Sequence, residues 1–453
     1  MIIYSGIFSG YKIHILSALY DRFTNIFSLK FFLMSLISIL RLKITFESLL
    51  IPVCMVLFLV SCKGPSESGV MQTGEYFFPD GYLDQPENIP SFWIATPDEI
   101  NSFLKTKVTK GKVERIGTSA GGRPVMAVMY GEPRKGNGTT TFSGACGINN
   151  IAPYRGPDND KTVYVGLGGV HGYETEGITG VVNLISVMET GKDLNGREWP
   201  EITSVKEKID RIILIPLLNP DGRERVPVIM QTHKGASKDS YLVHEYLNTG
   251  GKPDGTLIGW PDVKEFIPMD FSKVGFPGGY PNDAGVNLMH DDFFGNLQPE
   301  NQALFDLAAR EKPDIIINMH TGAPGNNYFM RMHRPMCEPV LNPVYDSLYI
   351  SVHTGLTLQG LQSTNDPAIE ADPAKSPRGV YNLDCALNLH CGALSVVVEA
   401  PSHGISGTDR SGKPVMQTPE MILNGELVVH LEAMRFLAET GGRSKWKSIS
   451  DKR

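Results

Sequence analysis

Four apolar runs in this chain carry no polar alternation: Val163 to Val170, Ile212 to Leu218, Ile315 to Met319 and Ala393 to Val398. Each is rich in β-branched residues, and a run of this kind suits a strand buried on both faces, since a half-solvated strand would alternate. A sheet buried on both faces must be covered by helices. Helical patterns lie between or after the runs, at Ile178 to Thr190, Gln298 to Glu311 and Met421 to Glu439, the last closed by Gly441-Gly442. Upstream, Val113 to Gly117 and Val125 to Tyr130 flank the turn Ala120-Gly121-Gly122-Arg123-Pro124 and predict an opening hairpin. The alternation predicts an α/β fold with a mixed, largely parallel central sheet flanked by helices.

Each buried run delivers polar residues at its end. The first is followed by His171-Gly172-Tyr173-Glu174, the second by Asn219-Pro220-Asp221-Gly222, the third by His320-Thr321-Gly322 and the fourth by Glu399. Ligands of open α/β sheets bind outside the carboxyl ends of the strands, so four such clusters converge on one site. A single histidine after a strand is more often a packed or capping residue; four clusters together reverse that expectation. Two imidazoles and one carboxylate, His171, His320 and Glu174, make a three-ligand site for one zinc ion with a position left open for water. Gly172 is expected to permit the tight turn by tolerating unusual backbone angles. Glu176 reads as a first-turn residue of the following helix, where carboxylates favour the positive dipole end. Glu399, ending an apolar strand, is the candidate general base, with partial desolvation raising its pKa.

Composition narrows the partners. A net charge of −7 over 453 residues gives no basic face for nucleic acid. The six cysteines, at 54, 62, 146, 337, 385 and 391, include no CxxC pair, so neither a cysteine zinc site nor a disulfide framework is predicted, and Cys385 and Cys391 read as core thiols. Leu49 to Val60 is apolar but shorter than the ~20 residues of a membrane span, follows Arg41 and Lys43, and reads as a signal peptide. Leu59-Val60-Ser61-Cys62 resembles a bacterial lipobox, with Cys62 as the acylated residue. The predicted organisation is a signal segment over 1–62, in which 1–33 is superfluous and Met34 a more natural start, then a tether and N-terminal extension over 63–94, a catalytic domain over 95–440 and a tail over 441–453. The protein is expected to be exported and held by its lipid in the periplasm or at the outer membrane or cell surface.

The four clusters, together with Ile116-Gly117-Thr118-Ser119-Ala120-Gly121-Gly122-Arg123-Pro124, occur in an order and separation that resemble the M14 zinc carboxypeptidase family over roughly residues 95 to 440. The resemblance implies that His171, Glu174 and His320 bind zinc and that Glu399 is the general acid/base. It implies that Asp221 lies near a zinc-binding histidine and orients it, although Asn219 to Gly222 also reads as a plain turn. It implies an arginine that polarises the scissile carbonyl, for which Arg225 and Arg223 are the candidates, the second also as a substrate contact. Tyr381 is the nearest match to a tyrosine that closes over substrate, and His403 reads as a loop residue near the cleft.

One stretch departs from the family. Typical members grip the substrate's terminal carboxylate with Asn-Arg in a Gly-Val-Asp-Leu-Asn-Arg-Asn-Phe segment, whereas this chain has Gly285-Val286-Asn287-Leu288-Met289-His290-Asp291-Asp292-Phe293. Neither Met289 nor a neutral His290 replaces a guanidinium fork. His290 could serve as a proton-dependent donor, or Arg331, Arg334 or Arg378 could approach from a loop. The functional expectation is an exported zinc-dependent hydrolase acting on a peptide or amide substrate, metallocarboxypeptidase-like. The alternatives are a zinc deacylase or amidase of small N-acyl or cell-wall peptide compounds, and a noncatalytic envelope binding protein, which retention of the ligands and Glu399 disfavours.

Overall fold

The structure is a computed structural model that describes residues 88–229, 240–322, 330–360, 366–372, 374, 381–400, 406–408, 414–416 and 418–450. The chain divides into two compact units, 1–72 and 73–453, and every described residue belongs to the second. The signal segment, Cys62, Arg378 and His403 therefore lie outside the described residues. No helix among the described residues is long and apolar enough to cross a membrane.

The core is a seven-stranded sheet in the order β1-β2-β4-β3-β5-β7-β6. The predicted hairpin is β1 (Lys112–Thr118) and β2 (Pro124–Gly131), paired antiparallel. The four apolar runs are β3 (Val163–Leu167), β4 (Arg211–Ile215), β5 (Ile315–Thr321) and β7 (Leu394–Ala400), mutually parallel and almost wholly buried. β6 (Arg331–Met332) closes the edge, antiparallel to β7. The sheet is thus mixed, parallel at its centre and antiparallel at both margins.

Helices cover both faces, which is why the central strands show no alternation. On one side α2 (Thr175–Thr190), α6 (Asn342–Leu358) and α8 (Pro419–Thr440) pack on Tyr164, Ile212, Ile315, Ile317 and Val396. On the other, α5 (Pro299–Glu311) and α7 (Leu383–Cys391) pack on Val163, Val165, Ile213, Ile316 and Val397. Cys385 and Cys391 are free thiols on α7, as expected. α8 ends where Gly441 takes a left-handed φ of 74° and caps it.

Two predicted strands are shorter than their apolar runs. β3 stops at Leu167 because Gly168-Gly169 turn the chain, Gly169 at φ 63°, so His171 stands beyond the strand in a turn. By contrast β5 and β7 run on through His320 and Glu399. Packed structure also extends to either side of residues 95–440. Phe92 and Trp93, assigned to the N-terminal extension, lie in the core beside α1 (Pro97–Lys107) and α2. At the other end Arg443–Ser450 is a helix, with Trp446 fully buried and Arg443 N donating to Asp314.

Candidate metal centre and active site

The loop after β3 brings His171 and Glu174 together, and Glu174 stands at the N-cap of α2. Its carboxylate lies between two imidazoles: Oε1 is 2.8 Å from His171 Nδ1 and Oε2 is 2.8 Å from His320 Nδ1. All three side chains are buried, with ligand atoms within 4.8 Å of one another. The amide of Asn248, on α4 (Ser240–Thr249), donates to Glu174 Oε1 at 2.9 Å, and Thr321 N donates to Oε2 at 3.1 Å. These donors fix the carboxylate plane.

Gly172 does hold the turn, but not for the reason expected. Its φ is not in the left-handed region; instead a Cβ there would fall 2.0 Å from Arg223 N and 2.1 Å from the Gly222 carbonyl carbon. Close backbone approach, not an unusual angle, demands the glycine. That approach comes from α3 (Pro220–Arg225), capped by Asn219, whose Oδ1 accepts from Gly222 N at 2.9 Å.

The electrostatics of the metal-free cluster follow from burial and from the carboxylate. Burial lowers the pKa of His171, with Glu174 opposing; for His320 burial also lowers it, but the combined attraction of Glu174, Glu399 and Asp384 raises it to about 9. Glu174, although buried, is held well below the usual carboxylate range by the two rings. Two histidine nitrogens and one carboxylate within reach of one point are the donor set of a catalytic zinc, and the Nδ1 atoms of both rings already converge on the carboxylate. Asn287 Oδ1 lies 3.0 Å from His171 Nε2 and accepts its proton, leaving Nδ1 to face the ion. Tyr280 stacks on the His171 ring with centroids 3.7 Å apart. The residues present fit the ion.

Glu399 is the register partner of His320 across β5 and β7, so the two side chains stand next to each other on one face of the sheet. Burial lifts its pKa to about 7, with Glu174 raising it and His320 and Arg331 opposing. The side chain keeps 20% of its surface exposed, and its Oε2 has no hydrogen-bond partner among the described residues. It is a carboxylate with one accessible edge and one uncommitted oxygen.

The family profile for zinc carboxypeptidase, Peptidase_M14, matches residues 100–347, more than half of the chain. The chain belongs to the zinc carboxypeptidase family. It is accordingly a metallopeptidase of a zinc-dependent family, and its His-Glu-His cluster is the metal site expected of a zinc carboxypeptidase. Among solved structures it is similar to a metallo-carboxypeptidase from Burkholderia cenocepacia (13% identity, TM-score 0.44, covering 75% of this chain and 68% of that one). It is likewise similar to a metallo-carboxypeptidase from Pseudomonas aeruginosa in complex with (2-guanidinoethylmercapto)succinic acid (13% identity, TM-score 0.44, 76% and 68%). A third similar structure is thrombin activatable fibrinolysis inhibitor (12% identity, TM-score 0.41, 78% and 80%). No curated protein sequence matches the chain.

Several predicted neighbours of the centre are engaged elsewhere. Asp221 touches neither imidazole: its oxygens accept from Ser119 Oγ (2.5 Å), Gly121 N (2.8 Å), Arg123 Nη1 (2.9 Å) and Asp283 N (3.2 Å). It therefore pins the β1–β2 turn to α3, and the orienting contact to His171 comes from Asn287. Arg223 and Arg225 also have partners within the fold. Arg223 is buried and donates to Gly172 O at 2.7 Å and to Val226 O, bracing the ligand turn from behind. Arg225 donates to the carbonyls of Gly278 (3.0 Å) and Pro281 (2.9 Å) and pairs with Asp283 at 2.7 Å. Neither guanidinium is free to meet a scissile carbonyl. Glu176, expected as a dipole decoration, is buried and accepts from Thr321 Oγ1 at 2.9 Å, tying α2 to the residue after His320.

Met289 and His290 sit on a single 3-10 turn, Leu288–His290, capped by Asn287. Burial, with Lys264 and the two metal-site histidines, lowers the His290 pKa to about 4, so the ring is neutral near pH 7 and stacks on Trp260. Tyr381 stacks on Phe294 (5.6 Å between centroids) and meets Phe293 edge-on; Phe294 is 85% exposed. Sequence reasoning missed Asn248, Asn287 and His333, whose Nε2 is 3.8 Å from Glu399 Oε1. Asn287 alone left a signal, because it occupies the aspartate position of the family segment.

Proposed function

We propose that this protein is an exported, lipid-anchored zinc hydrolase that cleaves peptide bonds by water attack, metallocarboxypeptidase-like, with Glu399 as the proton carrier. The observation that supports this reading most is the pairing of the buried His171–Glu174–His320 cluster with Glu399 at the register position next to His320. When bound, zinc supplies Lewis acidity at the scissile carbonyl and lowers the pKa of water toward neutrality. His171, Glu174 and His320 would hold the ion, with Asn287 and Asn248 keeping the first two in register. The Glu399 carboxylate takes the proton of the attacking water and returns it to the leaving amine. A carboxyl whose pKa is about 7 can do both near neutral pH. Export and acylation at Cys62 rest on the apolar run Leu49 to Val60 and the lipobox-like Leu59-Val60-Ser61-Cys62.

A second reading, an amidase of uncharged acyl compounds, is favoured by Met289 and by the neutral His290 at the position of a carboxylate-gripping arginine. Matched peptides with free and amidated C-termini, and a small N-acyl amino acid, separate the two. The peptidase reading expects hydrolysis of peptides that a chelator abolishes and added zinc restores. Hydrolysis of the N-acyl compound alone would favour the amidase, and turnover that survives complete metal removal would sink both. Fatty-acid labelling lost in Cys62→Ala tests the anchor.

A further inference from the structure

The sheet carries one feature that neither the metal centre nor the general base uses. Glu399 is the register partner of His320 on β5 and also of Arg331 on β6, so the three residues form a row across adjacent strands on one face. Two inter-strand steps of ~4.8 Å put the Arg331 backbone about 10 Å from that of His320. Arg331 is exposed and, among the described residues, meets no carboxylate within ion-pair distance, Glu399 included. Among the described residues, the other cations near the centre are committed. Arg223 and Arg225 are tied to carbonyls and Asp283, Arg123 to Asp221 and Asp283, and Arg334 to Asp346 at 2.6 Å and the Glu370 carbonyl at 2.7 Å. Lys264 lies over the Trp260 ring, its Nζ 3.9 Å from the centroid.

A substrate whose scissile carbonyl lies at the His171–Glu174–His320 cluster, with Glu399 beside it, meets Arg331 next along the row. A guanidinium at a sheet edge, with no hydrogen bond or ion pair to the described residues, is suited to a planar carboxylate in a two-point grip. We propose that Arg331 is the specificity-determining residue that binds a substrate carboxylate, replacing from the β6 side the arginine that is missing at His290. This rests on the zinc hydrolase reading above and deepens it. The carboxylate has two possible sources, the free C-terminus of the peptide or an acidic side chain next to the scissile bond.

The test compares zinc-loaded wild type, Arg331→Gln and Arg331→Lys on three matched peptides: a free C-terminus with terminal Gln, the same peptide amidated, and a free C-terminus with terminal Glu. A non-cleavable ketomethylene analogue, with and without its terminal carboxylate, is titrated calorimetrically against the same proteins. The proposal expects Arg331→Gln to raise KM for the preferred carboxylate substrate about ten- to a hundredfold, with kcat changed much less, and Arg331→Lys to recover part of the loss. Loss of the free-over-amidated preference assigns the C-terminal carboxylate, and loss of the Glu-over-Gln preference assigns the side chain. An unchanged preference in Arg331→Gln overturns the proposal, as does a wild type indifferent to both carboxylates. Should no peptide be cleaved, the peptidase reading fails, and the analogue still decides the role of Arg331. Weaker binding of the carboxylate form to Arg331→Gln upholds it, and equal binding rejects it.

Discussion

Removing the side chain of Asn287 should weaken zinc binding while leaving all three ligands in place. Asn287 Oδ1 lies 3.0 Å from His171 Nε2, and both residues are buried. In Asn287→Ala the Nε2 proton of His171 loses its acceptor where water does not readily replace it. An orphaned buried donor costs about 1–3 kcal/mol, which at about 1.4 kcal/mol per decade is roughly a five- to hundredfold loss of affinity. That agrees with the ~10–100-fold effect usual for outer partners of metal-binding histidines. The same oxygen accepts from Met289 N at 3.0 Å and caps the Leu288–His290 turn, so the variant should also lose about 1 kcal/mol of folding stability. Competition against a chromogenic chelator reads the first effect and urea melting of the metal-free protein reads the second. Asn287→Asp, which keeps the acceptor, should recover most of the zinc affinity. Zinc binding by Asn287→Ala within twofold of wild type would refute the reasoning, because His171 would then need no outer partner.

Three further outcomes follow from the geometry. Gly172→Ala places a Cβ 2.0 Å from Arg223 N, a clash with backbone, and should displace the ligand turn and lose at least ~10-fold in zinc affinity; normal zinc uptake would show that the turn yields. Since Glu399 accepts a proton only when ionised, kcat/KM should fall on acidification below about pH 7, or somewhat lower because a bound dication favours the charged carboxylate; a flat acid limb down to pH 5 would contradict its role. In the metal-free protein the raised pKa means that the folded state binds the proton more tightly than the unfolded chain, so this group's contribution is present below about pH 4.5 and is lost as pH rises through about 7. Glu399→Gln should therefore gain melting temperature relative to wild type at pH 8 and not at pH 4, and an equal difference at both would count against burial as the cause.

What the sequence disclosed and what it hid divide along physical lines. Strands buried on both faces have no choice but continuous apolar residues, so β3, β4, β5 and β7 were legible, and the polar residues next to them stood out by contrast. The first two were nonetheless overextended, because Gly168-Gly169 and Pro216 end them within runs that composition alone reads as continuous. His171, Glu174, His320 and Glu399 could be picked out because charged groups at the ends of such strands need a reason to be there. Asp221, Arg223 and Arg225 were equally visible, but their partners were not: a charge that braces a turn looks the same in sequence as one that faces a substrate. Only the hydrogen bonds to Ser119, Gly172 and Asp283 tell them apart. Asn248 comes from a helix 74 residues from Glu174, and no local pattern announces such a contact. β6 is two residues long, too short for any periodicity, and so the row His320, Glu399, Arg331 exists only once the sheet is assembled.

The most direct test of a zinc centre served by Glu399 is to measure, on one preparation of Glu399→Gln, both zinc content and peptide turnover. The account predicts about one zinc per chain, as in wild type, because Glu399 is not a ligand, together with a loss of kcat of about a hundredfold or more. Turnover close to wild type with zinc retained would remove Glu399 from the mechanism, and loss of the zinc itself would show that the three-residue metal centre is incomplete.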